Sequence, residues 1–267
     1  EMKKQILTLS AAAFMAALTC QTAFALDHDV VILHTNDTHC GIEENMGYAG
    51  LVWYENQMKE ETPYVTLVDA GDAIQGAPVG TLSEGEYLVQ IMNKAGYDFA
   101  VPGNHEFDYG MEKLLGLSAR LDCGYSACNF VNLPSKTQVF APYRIMEYDD
   151  IQVAFVGVAT PESITKSTPA YFQDQFGRYR FSFCEDETGE ALYSQVQRAV
   201  DQARGEGADY VIMVGHLGDN GITEKWSSRS VIANTTGIDA AIDGHSHEVC
   251  VENVPNENGE MVVLTQT

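Results

Sequence analysis

The chain has 267 residues, 45% of them hydrophobic and 10% aromatic, which is enough for one large core and too apolar for a disordered segment. Its 38 acidic and 15 basic residues give a formal net charge of −23, a surface that repels a nucleic-acid backbone and excludes nucleic acid as a partner. The same imbalance leaves few side chains able to neutralise a phosphate, so a phosphate ester would have to be held by bound cations.

Lys3 and Lys4 precede an apolar run over residues 6–20, and Ala23-Phe24-Ala25 supplies the small-x-small pattern that a signal peptidase cuts. Residues 1–25 therefore read as a signal peptide. Residues 26–267 read as one domain, exported to the periplasm, the extracellular space or the cell surface. The run is shorter than the roughly 20 apolar residues of a span. No later stretch reaches that length, so the mature chain is expected to carry no membrane span.

Val30-Val31-Ile32-Leu33 is an apolar run of strand length that opens onto Asn36-Asp37-Thr38-His39. Residues 51–61 read as an amphipathic helix, with Trp53 and Tyr54 assigned to the core. Tyr64-Val65-Thr66-Leu67-Val68 is a strand ending at Asp69-Ala70-Gly71-Asp72. A helix over 86–95 leads to strand 99–101 and Gly103-Asn104-His105-Glu106. A helix over 111–121 follows, then a hairpin-like pair at 143–148 and 152–158, and a long helix over 187–206. Strand 210–214 delivers Gly215-His216, strand 239–242 delivers Gly244-His245-Ser246-His247, and strand 262–265 ends the chain. Residues 134–183 are irregular and read as excursions over a sheet. Five cysteines follow residue 25. Cys123 and Cys128 are the nearest pair for a disulfide, and buried free thiols are the simpler reading.

Five of the seven histidines (His39, His105, His216, His245 and His247) fall in these strand-end loops. In α/β layers such loops converge on one edge, where a rigid sheet can hold side chains to the tolerance a metal cluster needs. Asp37 and His39 at i and i+2 on an extended segment would point the same way and share a cation. A carboxylate has two oxygens, so Asp72 could serve two ions. The spacing of His245 and His247 suits metal ligation, and Glu106 is a candidate to support the ligands from behind. His34, inside the first strand, reads as packed or hydrogen-bonded.

Leu33-His34-Thr35-Asn36-Asp37-Thr38-His39, Asp69-Ala70-Gly71-Asp72, Gly103-Asn104-His105-Glu106-Phe107-Asp108 and Asp243-Gly244-His245-Ser246-His247 resemble the calcineurin-like metallophosphoesterase superfamily. The likeness is greatest to the N-terminal catalytic domain of its 5′-nucleotidase and UDP-sugar hydrolase branch. The resemblance implies an α/β fold, a four-layer α/β/β/α sandwich of two mixed sheets with a dinuclear metal site at strand ends. It implies that Asp37, His39, Asp72 and His247 bind one divalent ion, and that Asp72, Asn104, His216 and His245 bind a second, with Asp72 bridging. His105 and Asp108 resemble the family's catalytic dyad, in which the carboxylate orients the imidazole. The ligand types suit zinc, manganese, cobalt or iron without choosing among them. The implied activity is removal of phosphate from nucleoside 5′-monophosphates or related nucleotides, by attack of a water that the ions activate. Hydrolysis of a cyclic nucleotide phosphodiester or a thiosulfonate ester is a same-fold alternative. A non-catalytic, metal-stapled surface module is an alternative of another class, in which the pairing of His105 with Asp108 would have no purpose. In that branch a C-terminal nucleotide-binding domain follows, and the chain, ending at Thr267, reads as a truncated form lacking it.

Overall fold

The structure, a computed structural model, describes residues 29–267. The expected signal peptide over 1–25 falls outside them. Among the described residues no helix is long and apolar enough to cross a membrane.

Two sheets carry the fold. The first is parallel, with strands β1 (Val31–Thr35), β2 (Val65–Asp69) and β3 (Phe99–Ala100) in sequence order. Helices α1 (Gly47–Glu61), α2 (Pro78–Ser83), α3 (Glu86–Ala95) and α4 (Met111–Ser118) belong to this half. A minor antiparallel sheet follows, made of β4 (Val131–Asn132), β5 (Thr137–Gln138) and, later in the chain, β8 (Phe181–Ser182). The second large sheet has six strands. Its order is β11 (Cys250–Pro255), β12 (Met261–Gln266), β10 (Ala240–Ile242), β9 (Tyr210–His216), β7 (Ile151–Ala159) and β6 (Tyr143–Tyr148). It is mixed: β7, β9, β10 and β12 run parallel, and β6 and β11 run antiparallel at the edges. The short α5 (Ser163–Lys166), the long α6 (Glu190–Gly205) and α7 (Ser228–Ala233) complete the described α-helices.

Strand side chains alternate between faces, and in the central strands both faces are buried, which gives three stacked cores. Leu67 and Ala100 pack outward with Leu88, Met92 and Leu114 of the first helical layer. Val68, Phe99, Phe155, Ile212, Val214 and Ile242 fill the space between the sheets. Ala154, Val156, Val211 and Met213 pack on the far side with Leu192, Val196 and Val200 of α6. Three cores between four layers make the α/β/β/α sandwich.

Most expected elements recur within a few residues, α3 with the same bounds and the 143–158 pair as an antiparallel hairpin. The core assignment of Trp53 and Tyr54 fails. In α1 the inward stripe is Tyr48, Leu51, Val52 and Glu55 at helical spacing, and Trp53 and Tyr54 lie beside it, 64% and 40% exposed. Glu55 takes the buried place, with Lys59 at 2.7 Å. All five cysteines among the described residues are free, and Cys40, Cys123 and Cys128 are buried, so the Cys123–Cys128 pair is unbonded. His34 is lowered from its ordinary value by burial, and its Nδ1 is buried without a hydrogen-bond partner.

Candidate active site

The parallel strands β1, β2 and β3 of one sheet and β9 and β10 of the other deliver their carboxyl ends to a common edge, and the loops there interlock. Asp37 N donates to Gly71 O at 2.9 Å, His39 N to Asp72 O at 2.9 Å and Cys40 N to Ala73 O at 3.0 Å, tying the β1 loop to the β2 loop. Asp37 and His39 therefore do not lie on an extended segment. Their φ angles are 48° and 44°, and Asp72, His245 and His247 are also left-handed at 60°, 79° and 52°. Backbone strain of this kind costs on the order of 1–3 kcal/mol per residue and persists only where the surroundings enforce it. Gly103 shows why the packing demands glycine: a Cβ there would lie 2.2 Å from Asp72 Oδ1 and 2.6 Å from Asp72 N.

Glu106 enforces much of this geometry. It is fully buried, and its two oxygens accept from Gly103 N (2.6 Å), Asp72 N (2.8 Å), Ala73 N (2.8 Å) and Ile74 N (3.2 Å). Burial first, then the Asp72 carboxylate, push its pKa up, while the backbone donors hold it down. The support from behind expected of this residue is thus directed at backbone amides.

The side chains expected to form the site meet. His216 Nε2 stands 3.1 Å from Asp72 Oδ2 and 4.0 Å from Asp37 Oδ1; His39 Nε2 is 3.9 Å from Asp72 Oδ2. His247 Nε2 lies 3.4 Å from Asp37 Oδ1 and 3.3 Å from His39 Nε2. Asp37, His39 and His247 form one group of converging donor atoms; Asp72, His216 and His245 form another. His105 completes a third group with His39 and Asp72, so proximity alone does not separate it from the ligands. Its Nδ1 lies 2.6 Å from Asp108 Oδ2, and its backbone N donates to Asp72 Oδ1 at 2.8 Å.

These residues fit divalent cations. Donors about 2.0–2.2 Å from one tetrahedral ion stand roughly 3.3–3.6 Å apart, close to the spacings above. Asn104 Oδ1 is buried with no hydrogen-bond partner, and the buried His216 Nε2 has only the Asp72 carboxylate at 3.1 Å, without hydrogen-bond geometry. Such orphans are costly unless something else satisfies them. The opposite nitrogen of His216, Nδ1, is 2.7 Å from Ala70 O and can only donate to it, which leaves the lone pair on Nε2.

Electrostatics agree. Burial opposes charge on His216, yet Asp72, Asp37 and the Ala70 carbonyl together raise it to about 10. Burial would raise Asp72, but His216 and His105 outweigh it and hold the carboxyl well below its usual range. Carboxylates that attract a proton onto His216 attract a divalent cation for the same reason. His105 is raised, chiefly by its hydrogen bond to Asp108. Beneath the site Asp69 is driven to about 7 by burial and then by Glu106, with Thr35 Oγ1 and Gly71 N donating to it.

Sequence reasoning missed Glu162. Its Oε2 is 2.9 Å from His245 Nε2, and its Oε1 accepts from Thr223 N and Oγ1 at 2.9 and 2.6 Å. The hydrogen bond to His245, then those from Thr223, outweigh burial and pull Glu162 down to about 2. It stands three residues past the end of β7, a strand parallel to β9. The strand-end rule that found the other loops points to it too.

Residues 30–249 match the family described as Calcineurin-like phosphoesterase, and the chain belongs to it. The fold implies use of divalent metal. Among its relatives, 5′-nucleotidase of Bos taurus is 28% identical over 241 residues, which are 82% of this chain and 38% of the relative. The 2′,3′-cyclic-nucleotide 2′-phosphodiesterase/3′-nucleotidase of Yersinia enterocolitica is 26% identical, covering 93% of this chain and 41% of the relative. The chain thus spans about two fifths of the length of these curated relatives. Among solved structures, a 5′-nucleotidase precursor from Thermus thermophilus superposes with a TM-score of 0.74 at 23% identity, covering 89% of this chain and 48% of that one, which shows the shared fold.

Proposed function

We propose that the protein is a dinuclear-metal phosphohydrolase that removes phosphate from nucleoside 5′-monophosphates or related nucleotides. Asp37, His39, Asp72 and His247 hold one divalent ion; Asp72, Asn104, His216 and His245 hold the other. The observation that carries the reading is the convergence of Asp37, His39 and His247 and of Asp72, His216 and His245 into two groups of metal-donor atoms, with the buried Asn104 Oδ1 lacking a hydrogen-bond partner, at the edge where His105 pairs with Asp108.

The ions, when bound, supply Lewis-acid activation of the attacking water and neutralise the phosphoryl oxygens during in-line displacement. This chain's residues do the rest. Asp72 would be shared by the two ions, because its Oδ2 faces both His39 of one ligand set and His216 of the other, while the His105 amide holds its Oδ1. Asp108 engages Nδ1 of His105 and leaves Nε2 to donate to a phosphoryl oxygen or to the leaving oxygen. The pKa of His105 is raised, chiefly by the hydrogen bond to Asp108, which favours the protonated ring that such donation needs. The acidic surface offers no substitute for the ions in holding phosphate.

The nucleotide preference draws on relatives whose names are nucleotidases and nucleotide phosphodiesterases, of which this chain spans under half. Export through residues 1–25, and a nucleotide-binding domain following residue 267 in the intact protein, belong to the same reading. His105→Ala tests it against a non-catalytic, metal-stapled module. The variant should keep both metal equivalents by elemental analysis and lose on the order of 10²–10⁴ in turnover of a nucleoside monophosphate. Loss of a metal equivalent would make His105 a ligand, and unchanged turnover would remove it from the chemistry.

A further inference from the structure

The segment that follows β7 supplies no proposed ligand, yet it touches both halves of the site. Thr160 Oγ1 accepts from Glu162 N at 3.2 Å, and Glu162 enters α5 with its carboxylate turned inward. One oxygen, Oε2, meets His245 Nε2 at 2.9 Å; the other takes both the backbone N and the Oγ1 of Thr223. Five residues on, past α5, Ser167 Oγ donates to Asp108 Oδ1 at 2.8 Å, while Asp108 Oδ2 engages His105.

We propose that residues 160–167 form a positioning brace, in which Glu162 sets the ring of His245 for metal ligation and Ser167 sets Asp108 against His105. The inference rests on the assignments of His245 as ligand and of His105 with Asp108 as the dyad.

The physical reason lies in the chemistry of imidazole. A neutral ring has one donor nitrogen and one acceptor nitrogen, and its outer partner decides which is which. An ionised Glu162 can only accept, so the proton sits on Nε2 and the lone pair on Nδ1 is left for a cation. His245 needs such a guide, because its backbone is left-handed (φ 79°) in a loop outside any strand or helix. Glu162 can provide it because it is itself fixed: only 7% of the residue is exposed, and the two bonds from Thr223 prevent its carboxylate from rotating away. Both of its oxygens are thereby occupied, which marks it as a support for a ligand and leaves it outside the groups of converging metal donors. The Thr223 bonds also tie the loop after β9 to the segment after β7. Asp108 is treated in the same way on the other side. One oxygen is held by Ser167, so the other is presented to His105 in a single orientation. A single short segment thus registers the metal half of the site against the proton-donating half.

The test is manganese binding and steady-state kinetics on the full chain, with Glu162→Gln, Thr223→Val and Ser167→Ala. A glutamine at 162 has one acceptor where the structure uses two, so it must either turn its NH2 to His245 Nε2, forcing the wrong tautomer, or fail Thr223. Equilibrium dialysis with elemental analysis should show one of the two manganese equivalents weakened about 10–100-fold in Glu162→Gln, the range seen when partners of metal ligands are removed. The other equivalent should be unchanged. Activity should return at saturating manganese. Thr223→Val, which keeps the amide bond to Glu162 and loses only the hydroxyl, should show a smaller shift in the same equivalent. Ser167→Ala should bind manganese as the wild type does and lose several-fold in kcat with KM unchanged. The brace is refuted if Glu162→Gln binds both equivalents with wild-type affinity, or if Ser167→Ala leaves kcat intact. If the wild type itself fails to bind two equivalents, the proposed function falls and the brace with it; a normal wild type with insensitive variants removes the brace alone.

Discussion

Glu106→Gln isolates the contribution of one buried carboxylate to the site. Glu106 accepts four backbone N–H groups, two on each oxygen: Gly103 and Asp72 on Oε2, Ala73 and Ile74 on Oε1. The amide keeps one oxygen and turns an NH2 group toward the other two donors, so two buried amides lose their acceptor. Each such loss costs about 1–3 kcal/mol, which sums to about 2–6 kcal/mol. Removing a charge near Asp72 acts the other way. That relief is smaller, because Asp72 already has His216 at 3.1 Å and the His105 amide at 2.8 Å to compensate it. For a domain of this size each kcal/mol shifts the melting point by about 2–4 °C. A loss near 3 kcal/mol should therefore lower the Tm by roughly 10 °C in a chelator-treated sample followed by circular dichroism. Either pair includes an amide of the strained β2 loop, so metal content should fall as well. A Glu106→Gln protein melting within about 2 °C of the wild type and retaining its metals would refute the claim that this carboxylate organises the loops.

Asp72→Ala should lose both metal equivalents, since it is the proposed bridge; retention of one full equivalent in elemental analysis would break that assignment. Phe107→Ala removes a ring fully buried among Phe130, Phe172 and Phe183 at 5.2–5.3 Å. It should cost about 3–5 kcal/mol in urea unfolding, and a cost below about 1 kcal/mol would contradict the packing. His34 has a pKa lowered by burial from the ordinary 6.5. The unfolded chain therefore takes up that proton first, and the stability contributed by the neutral ring is present above pH 6.5 and lost as pH falls through the lowered value. His34→Gln should flatten the decline in stability from neutral to mildly acid pH, and an unchanged slope would mean the ring is not desolvated.

The layers of the fold were legible because the central strands of both large sheets are buried on both faces, which leaves nearly continuous apolar runs such as Val65-Thr66-Leu67-Val68 and Val211-Ile212-Met213-Val214. The candidate ligands were legible for a related reason. Each follows such a run within a few residues, and Asp72, Asn104, His216 and His245 each stand directly after a glycine, so residue type and position in the chain single them out, with Asp37, as candidates. How they are held was not legible. Local spacing suggested that Asp37 and His39 share an extended segment, whereas both are left-handed because hydrogen bonds to the Gly71-Asp72-Ala73 loop override local preference. On α1 apolar character suggested that Trp53 and Tyr54 face the core. The helix instead turns Glu55 inward, since its phase is set by contact with the first sheet and α3. Glu162 lies 83 residues from His245, and Ser167 lies 59 from Asp108. The sequence by itself determines which chemical groups reach the common edge, because strand periodicity and the glycines next to it are local properties. Only the tertiary structure decides which nitrogen of each histidine is free and which carboxylate supports which loop, because those choices depend on partners that the fold alone brings within hydrogen-bonding distance.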